Sequence, residues 1–234
     1  MRPDLLGILS LDTAFERISG DVGNPDSYPF PATVSVVQGA DSTRIVKDGP
    51  PDEALMQRFE AAARGLERDG ATAIVSTCGF LVTAQRRIAS VVGVPVMLSA
   101  LSLFGVVRSS MPGRIGILTA SRTALGAAAL DAAAIPERDA VIQGMEDEPD
   151  FAATFLVRRD RQNETFDRDR MERAVLSQAR ALQARAPDIR AIILECGNLP
   201  PYAPALRAAT GLPVFHLVDA AGWMMTASRG SVGD

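Results

Sequence analysis

The sequence contains very few of the residues on which most cofactor and metal chemistry depends. Its 234 residues include one lysine, Lys47, one histidine, His216, and two cysteines, Cys78 and Cys196. A pyridoxal phosphate enzyme needs a lysine at its site, and Lys47 lies in a polar stretch away from any predicted strand end. Two isolated cysteines and one histidine do not form a zinc site, and no Gly-x-Gly-x-x-Gly or Walker-type loop is present. We therefore expect neither a cofactor nor a metal.

The sequence also lacks a basic stripe and any long apolar run. Its net charge is -4, so nucleic acid is not an expected partner. No apolar run approaches the roughly 20 residues that a membrane span needs, and the opening Met1-Arg2-Pro3-Asp4 is not typical of a signal peptide. We expect a cytoplasmic protein with reduced thiols and without a disulfide between Cys78 and Cys196.

What the sequence does contain is an internal duplication centred on the two cysteines. Ala73-Ile74-Val75-Ser76-Thr77-Cys78-Gly79 and Ala191-Ile192-Ile193-Leu194-Glu195-Cys196-Gly197 are both apolar runs that end in Cys-Gly, 118 positions apart. The same offset relates Gly93-Val94-Pro95-Val96 to Gly211-Leu212-Pro213-Val214. An offset of 109 relates Gly7-Ile8-Leu9-Ser10 to Gly116-Ile117-Leu118-Thr119.

Short apolar strands alternate with segments of helical spacing in both copies, which indicates parallel sheets covered on both faces. We predict an α/β fold of two pseudo-symmetric, doubly wound parallel-sheet halves with the active site in the cleft between them. Residues 1–112 would carry Cys78, and residues 113–234 would carry Cys196. The predicted helices include residues 51–70, 81–92, 100–111 and 219–227, and a frayed tail is expected after them.

Two regions do not fit the strand–helix alternation. Residues 12–31 are rich in turn formers and predict a long loop whose start borders the cleft. The acids of this loop, Asp12, Asp21 and Asp26, with Tyr28 and Phe30 as a cation–π face, favour a zwitterionic or cationic carboxylate over a dicarboxylate; alternatively, they only cap turns. Residues 136–169 predict either a lid or a solvated surface excursion.

Ligands of parallel sheets bind beyond the carboxyl ends of the strands, and both cysteines lie at such ends. Free N–H groups at the helix that follows each cysteine stabilise a thiolate and can hold a substrate carboxylate. Two thiols on opposite faces of one carbon are suited to removing a proton on one side and delivering one on the other. His216 offers an alternative as a partner for a cysteine, although its apolar surroundings favour a packed core residue. The candidate catalytic residues are thus Cys78 and Cys196, and the candidate substrate-binding residues are Ser10, Asp12, Thr77, Gly79, Phe80, Thr119, Ser121, Gly197 and Asn198, with Asp21 and Tyr28 in the loop.

The two half-repeats with one cysteine each resemble the aspartate/glutamate/hydantoin racemase superfamily over essentially the whole chain. The resemblance implies that Cys78 and Cys196 are a paired acid and base, that no cofactor is used, and that the protein is a homodimer. In glutamate racemases the two cysteines are followed by Asn-Thr and Thr-His, where this chain has Gly79-Phe80 and Gly197-Asn198. The groups that bind an amino-acid substrate there are thus partly missing here.

The motifs Cys78-Gly79-Phe80 and Glu195-Cys196 with Leu199-Pro200-Pro201-Tyr202 are more similar to the branch that contains the algal dimethylsulfoniopropionate lyase. Racemisation or isomerisation at the α-carbon of a small carboxylate is the leading expectation. β-Elimination is the second, because it shares the first step, removal of the α-proton. A non-catalytic carboxylate-binding protein of the same fold is the third.

Overall fold

The computed structural model describes residues 4–228, and the tail predicted to fray lies largely outside them. The first half contains a four-stranded parallel sheet in the order β2-β1-β3-β4. Its elements are β1 (Leu6–Leu11), β2 (Ala32–Val37), α1 (Ser42–Ile45), α2 (Glu53–Arg68), β3 (Ala73–Ser76), α3 (Gln85–Ala89), β4 (Val96–Met97) and α4 (Phe104–Ser110).

The second half repeats this arrangement with a parallel sheet in the order β6-β5-β7-β8. Its elements are β5 (Arg114–Thr119), α5 (Ala127–Ala132), β6 (Ala140–Gly144), α6 (Pro149–Phe155), α7 (Arg168–Arg185), β7 (Ile189–Leu194), α8 (Ala203–Thr210), β8 (Val214–Phe215) and α9 (Leu217–Ser228). The strand order and the flanking helices confirm the predicted α/β fold of two similar halves.

The strand register shows that the duplication extends to individual residues. Gly7 of β1 pairs with Ile74 of β3, and Gly116 of β5 pairs with Ile192 of β7; these are the residues that the two sequence offsets equate. In each sheet the site-bearing strands are the central pair, β1 with β3 and β5 with β7. The chain order reverses there, and this is where open α/β sheets bind ligands.

Several predicted elements differ from those in the structure. A single helix was predicted over residues 81–92, but Gly79–Ala84 forms a 3-10 helix that is followed by the short α3. Thr83 explains part of this difference. Its hydroxyl donates to the carbonyl oxygens of Phe80 and Gly49, and such side-chain bonds to the backbone compete with the hydrogen bonds of a regular helix. The helix predicted over 100–111 likewise begins as a 3-10 turn, Ala100–Leu103.

The interpretation that residues 136–169 do not fit the strand–helix alternation was wrong. This region contains the edge strand β6 and the helix α6. β6 pairs with β5 over five residues and occupies the position that β2 has in the first sheet, so the duplication itself required a strand here.

The two halves are held together by helices that cross between them. The last helix of the first half, α4, packs against β5, and the last helix of the second half, α9, packs against β3 and β4. Asp48 of the first half also accepts hydrogen bonds from Ala128 N (3.0 Å) and Ala129 N (3.3 Å) at the start of α5. Across residues 4–228, no helix is both long enough and apolar enough to span a membrane.

Candidate active site

Each cysteine lies in a turn directly after a central strand. We call residues 77–80 and 195–198 the two Cys-Gly turns. Thr77 N donates to Leu9 O (3.0 Å), and Glu195 N donates to Leu118 O (2.9 Å), so both turns leave their strands in the same way. Leu81 N donates to Cys78 O (3.1 Å) and Leu199 N donates to Cys196 O (3.1 Å), which places the two cysteines at equivalent positions. A 3-10 helix then begins at Gly79 in the first half and at Pro200 in the second.

The glycine of each Cys-Gly turn contacts the backbone of the other turn. A Cβ on Gly79 would overlap the carbonyl oxygen of Glu195, and a Cβ on Gly197 would overlap the carbonyl oxygen of Thr77. The two glycines were predicted to let the backbone approach a ligand. In the structure they instead let the two turns approach each other, and this contact brings both cysteines to one cavity.

One cavity lies between the two turns, and residues of both halves line it as matched pairs. The pairs that the sequence offsets equate are Leu11 with Ala120, Thr77 with Glu195, Cys78 with Cys196, and Phe80 with Asn198. The pair that should supply acid and base is chemically identical, whereas its neighbours Thr77/Glu195 and Phe80/Asn198 are not. The site therefore has a symmetric backbone and asymmetric chemistry.

The remaining walls of the cavity come from segments without such a match. They are the loop after β1, the α1 region and the end of α6, and the lining residues are Thr13, Phe15, Arg17, Ser42, Val46, Phe155 and Leu156. The space open to the centre of a water-sized sphere is about 20 Å³, enough for one or two water molecules. The cavity is too small in this conformation to admit a substrate unless part of the wall that covers it moves.

An aromatic cluster forms that cover. Phe15 and Phe155 meet edge to face with ring centroids 4.8 Å apart, and Phe151 packs on Phe155 at the same distance. The Arg17 guanidinium lies over the Phe15 ring at 5.0 Å. The predicted lid region thus contributes α6 to the cover, through Phe155.

Both cysteines are buried free thiols. Burial, followed by the nearby Glu195 carboxyl, raises the pKa of Cys78, while the Phe80 N–H and the Arg17 guanidinium act in the opposite direction. Burial also raises the pKa of Cys196. Glu195, Cys78 and Asp21 raise it further, and only the Asn198 N–H opposes them. The environment of Cys78 is therefore the more favourable of the two for a thiolate.

A chain of polar contacts favours the protonated form of Cys196. Its Sγ donates to Asn198 Oδ1 at 3.5 Å, and Asn198 Nδ2 donates to Asp21 Oδ2 at 2.7 Å. Because Asp21 accepts from the amide nitrogen, the amide oxygen of Asn198 faces the sulfur. Asp21 itself accepts from Arg17 Nη1 at 2.9 Å and from Gly23 N at 2.7 Å. Phe80 is the residue of the first half that corresponds to Asn198, and its side chain contains no hydrogen-bond acceptor for Cys78.

Glu195 is the buried carboxyl of the site. Its Oε2 accepts from the Thr119 hydroxyl at 2.7 Å and from Ala120 N at 3.4 Å. Burial outweighs these two bonds and raises the pKa of Glu195 to about 7. The matching residue, Thr77, accepts from Leu11 N at 3.0 Å.

The structure brings part of the predicted site together. Of the predicted residues, Thr77, Cys78, Phe80, Cys196 and Asn198 line the cavity. Thr119 and Asp21 lie one layer behind, because each bonds a lining residue, Glu195 and Asn198 respectively.

Four other predicted residues are placed elsewhere. Ser10 donates to Leu11 O, and Ser121 accepts from Ala124 N within its own turn, so both satisfy local backbone. Asp12 accepts from Gly39 N and pairs with Arg159. Tyr28 donates to Val22 O and stacks on Phe30, and neither ring lines the cavity. The aromatic faces at the site come instead from other phenylalanines, and the charge of Asp21 is compensated by Arg17.

Residues that the sequence reasoning missed include Arg17, Phe15, Glu195 and Phe155. A signal existed for Arg17, since it is the only basic residue of the loop after β1, and for Glu195, since it directly precedes a cysteine. Phe15 and Phe155 gave no such signal, because they meet only through the tertiary fold. His216 is buried, as expected, and lies outside the cavity lining.

Comparison with known proteins gives consistent results. A dimethylsulfoniopropionate lyase of Durusdinium sp. clade D is 30% identical over 227 residues, which are 92% of this chain and 72% of that protein. Dimethylsulfoniopropionate lyase 7 of Emiliania huxleyi is 32% identical over 224 residues, 91% of this chain and 64% of that protein. This chain thus spans about two thirds of the length of these relatives.

The fold also matches solved structures. Unliganded arylmalonate decarboxylase superposes with a TM-score of 0.59 at 16% identity, covering 99% of this chain and 95% of that one. Residues 25–225 match the family model described as Asp/Glu/Hydantoin racemase. This stretch includes both Cys-Gly turns, and the chain therefore belongs to the Asp/Glu/hydantoin racemase family.

Proposed function

We propose that this chain is a cofactor-independent lyase that removes the α-proton of a small carboxylate with Cys78 and expels a leaving group from the β-carbon. Racemisation, the leading expectation from the sequence, becomes the second candidate. The single observation that carries this order is the contact of Cys196 with Asn198, which Asp21 orients.

The asymmetry of the thiols supports an elimination. A racemase has to start from either thiolate, because each enantiomer presents its proton to a different cysteine. Here Asn198 accepts the S–H of Cys196, and this contact favours the thiol. Arg17 favours the thiolate of Cys78. Such a pair provides one base, and an elimination that expels a neutral leaving group requires only one, whereas a racemase needs both thiols to act as base in turn.

The proposed step balances as follows. The Cys78 thiolate takes the proton from the α-carbon, the C–H electron pair forms the Cα=Cβ double bond, and the bond from Cβ to the leaving group breaks. With dimethylsulfoniopropionate, the products are acrylate and dimethyl sulfide. Cys78 ends as a thiol and returns its proton to solvent before the next cycle.

The lining supports a zwitterionic substrate with a carboxylate at one end. Arg17 is the one basic side chain among the lining residues and provides a site for that carboxylate. Phe15, Phe80 and Phe155 present aromatic rings to the same space, and such rings attract sulfonium or quaternary ammonium groups. The names of the two curated relatives agree with this substrate class.

A direct test is incubation of the purified protein with dimethylsulfoniopropionate in heavy water, followed by proton NMR. The proposal predicts acrylate and dimethyl sulfide. Recovery of unchanged substrate carrying deuterium at the α-carbon would mean proton removal without elimination and would favour the racemase. Binding without exchange or product would favour the non-catalytic carboxylate-binding protein.

A further inference from the structure

Glu195 carries an oxygen that the fold leaves without a partner. The side chain is buried, with a relative exposure of 2% for the residue, and it lines the cavity. Its Oε2 accepts from the Thr119 hydroxyl and from Ala120 N. Its Oε1 has no hydrogen-bond partner within residues 4–228.

The matching position in the other half shows that a structural role does not require a carboxyl. Thr77 performs the same backbone contact with one hydroxyl oxygen, which accepts from Leu11 N. Ala120, the counterpart of Leu11, is bonded by Glu195 Oε2 in the second half. Oε1 of Glu195 takes no part in this hydrogen bond to the backbone. This oxygen lies beside Gly79 of the opposite Cys-Gly turn, and Glu195 lines the cavity there.

We propose that Glu195 binds the substrate as a neutral carboxylic acid, with Oε1–H donating a hydrogen bond to an oxygen of the substrate carboxylate. This inference rests on the proposed function for the identity of the ligand. The proton belongs on Oε1, because Oε2 already accepts from two donors.

The charges around Glu195 require the neutral form when a carboxylate is bound. The charge of Glu195 acts on Cys196 of its own turn and on Cys78 of the opposite turn. The other charged groups at the site are Arg17, which lines the same cavity, and Asp21 behind it. Arg17 is already paired with Asp21 at 2.9 Å. An ionised Glu195 would repel the substrate and would oppose formation of the Cys78 thiolate.

The neutral acid contributes to the reaction as well as to binding. Removal of the α-proton moves negative charge onto the substrate carboxylate oxygens, and a donor already aimed at them stabilises that charge without reorganisation. Burial raises the pKa of Glu195 to about 7, so the acid is available near neutral pH.

Proton uptake on ligand binding tests the inference independently of turnover. The probe is 3-(trimethylammonio)propionate, the ammonium counterpart of dimethylsulfoniopropionate, titrated by calorimetry at pH 6 and pH 8 in two buffers of different ionisation enthalpy. Wild-type protein should take up close to one proton per ligand at pH 8 and little at pH 6. Linkage to a pKa near 7 makes binding about tenfold weaker at pH 8 than at pH 6.

Two variants complete the test. Glu195→Gln keeps the shape and a donor but does not titrate, so its proton uptake should vanish and its affinity should be the same at both pH values. Glu146→Gln is the matched control, because Glu146 Oε2 also lacks a partner within residues 4–228 but lies outside the cavity lining. Its proton uptake should equal that of the wild type.

The outcomes separate this inference from the proposed function. Uptake that persists in Glu195→Gln, or is absent from the wild type, overturns the role of Glu195 even if acrylate is formed. Uptake that disappears in Glu195→Gln upholds that role even if no elimination occurs. Failure of the wild type to bind the probe overturns both. If Glu195→Gln does not fold, the wild-type uptake and its pH dependence still decide the question.

Discussion

At the scale of single residues, burial is the dominant influence on the chemistry of this site. It raises the pKa of Cys78, Cys196 and Glu195 together, and the few polar contacts then distinguish one group from another. The Asn198–Asp21 pair holds Cys196 as a thiol, and Arg17 favours the thiolate of Cys78. The side chains that differ between the halves thus give two identical residues different environments, and the proposed function assigns them different roles on that basis.

The pKa of Glu195 predicts a specific pH dependence of stability. The folded pKa of about 7 lies above the ordinary 4.5, so between these values the unfolded chain holds fewer protons than the native one. This group therefore lowers the free energy of unfolding as pH rises from about 4.5 to 7, by about 1.4 kcal/mol per pH unit at most. Urea unfolding of wild type and Glu195→Gln at pH 5 and pH 7 measures the difference.

The comparison between the two proteins isolates Glu195 from other groups. Asp52 and Glu53 have lowered pKa values and change stability in the opposite direction, but they do so equally in both proteins. The wild type should lose more stability than the variant between pH 5 and pH 7. Parallel losses would show that Glu195 titrates normally.

At the scale of elements, the contact between the two Cys-Gly turns positions the cysteines. Gly79→Ala or Gly197→Ala should force the turns apart, because the added Cβ overlaps a backbone carbonyl in each case. We expect a loss of about 1–3 kcal/mol in the free energy of unfolding, together with a large loss of activity. Chemical denaturation and an activity assay measure the two effects.

Gly222→Ala is the matched control for these substitutions. Gly222 lies within α9, and a Cβ there would meet no atom within 4 Å. Alanine should stabilise this helix by up to about 1 kcal/mol. Equal effects at Gly79, Gly197 and Gly222 would mean that the close approach of the turns is not what requires glycine.

The cover of the cavity has to move to admit a substrate, since the cavity holds only one or two waters. Ligand binding should change the amide hydrogen exchange of residues 149–156 and 13–17, which carry the Phe155 and Phe15 rings that meet over the site. Helix α2, Glu53–Arg68, serves as an internal reference and should not change. An unchanged cover with a changed α2 would place the entrance elsewhere.

The elements show how far the sequence alone predicts this fold. The repeated Cys-Gly, Gly-x-Pro-Val and Gly-Ile-Leu segments predicted both sheets, because equivalent sequences form equivalent strands. Helix α2 was also predictable, since Asp52 caps it through Leu55 N and its apolar positions keep helical spacing. β6 was missed because its apolar run, Ala140-Val141-Ile142, is only three residues long and half-buried.

The sequence predicted only those residues of the candidate site that directly follow a strand. Residues after β3 and β7 were located, because parallel strands bring their carboxyl ends to one edge. The cover was not, since the contact of Phe15 with Phe155 joins positions 140 residues apart. The proposed role of Glu195 depends on burial and on an unpartnered oxygen, and neither property can be read from the sequence.

At the scale of the whole molecule, the two halves are joined because the last helix of each half packs against the sheet of the other. α4 packs against the second sheet and α9 against the first. The Thr72 hydroxyl lies 3.7 Å from the sulfur of Met225 in α9. We therefore expect one cooperative thermal transition, with equal calorimetric and van't Hoff enthalpies. Two resolved transitions would show that residues 1–112 and 113–234 behave as independent domains. The homodimer implied by the family resemblance stays a prediction.

The central claim is that two structurally equivalent cysteines have unequal roles, with Cys78 as the base. The most direct measurement is the rate of acrylate formation from dimethylsulfoniopropionate by the wild type, Cys78→Ser and Cys196→Ser. Loss of the base should lower the rate of Cys78→Ser by about 10²–10⁴-fold, whereas Cys196→Ser should keep a readily measured part of the wild-type rate. Equal loss in both variants, or the larger loss in Cys196→Ser, would contradict the account.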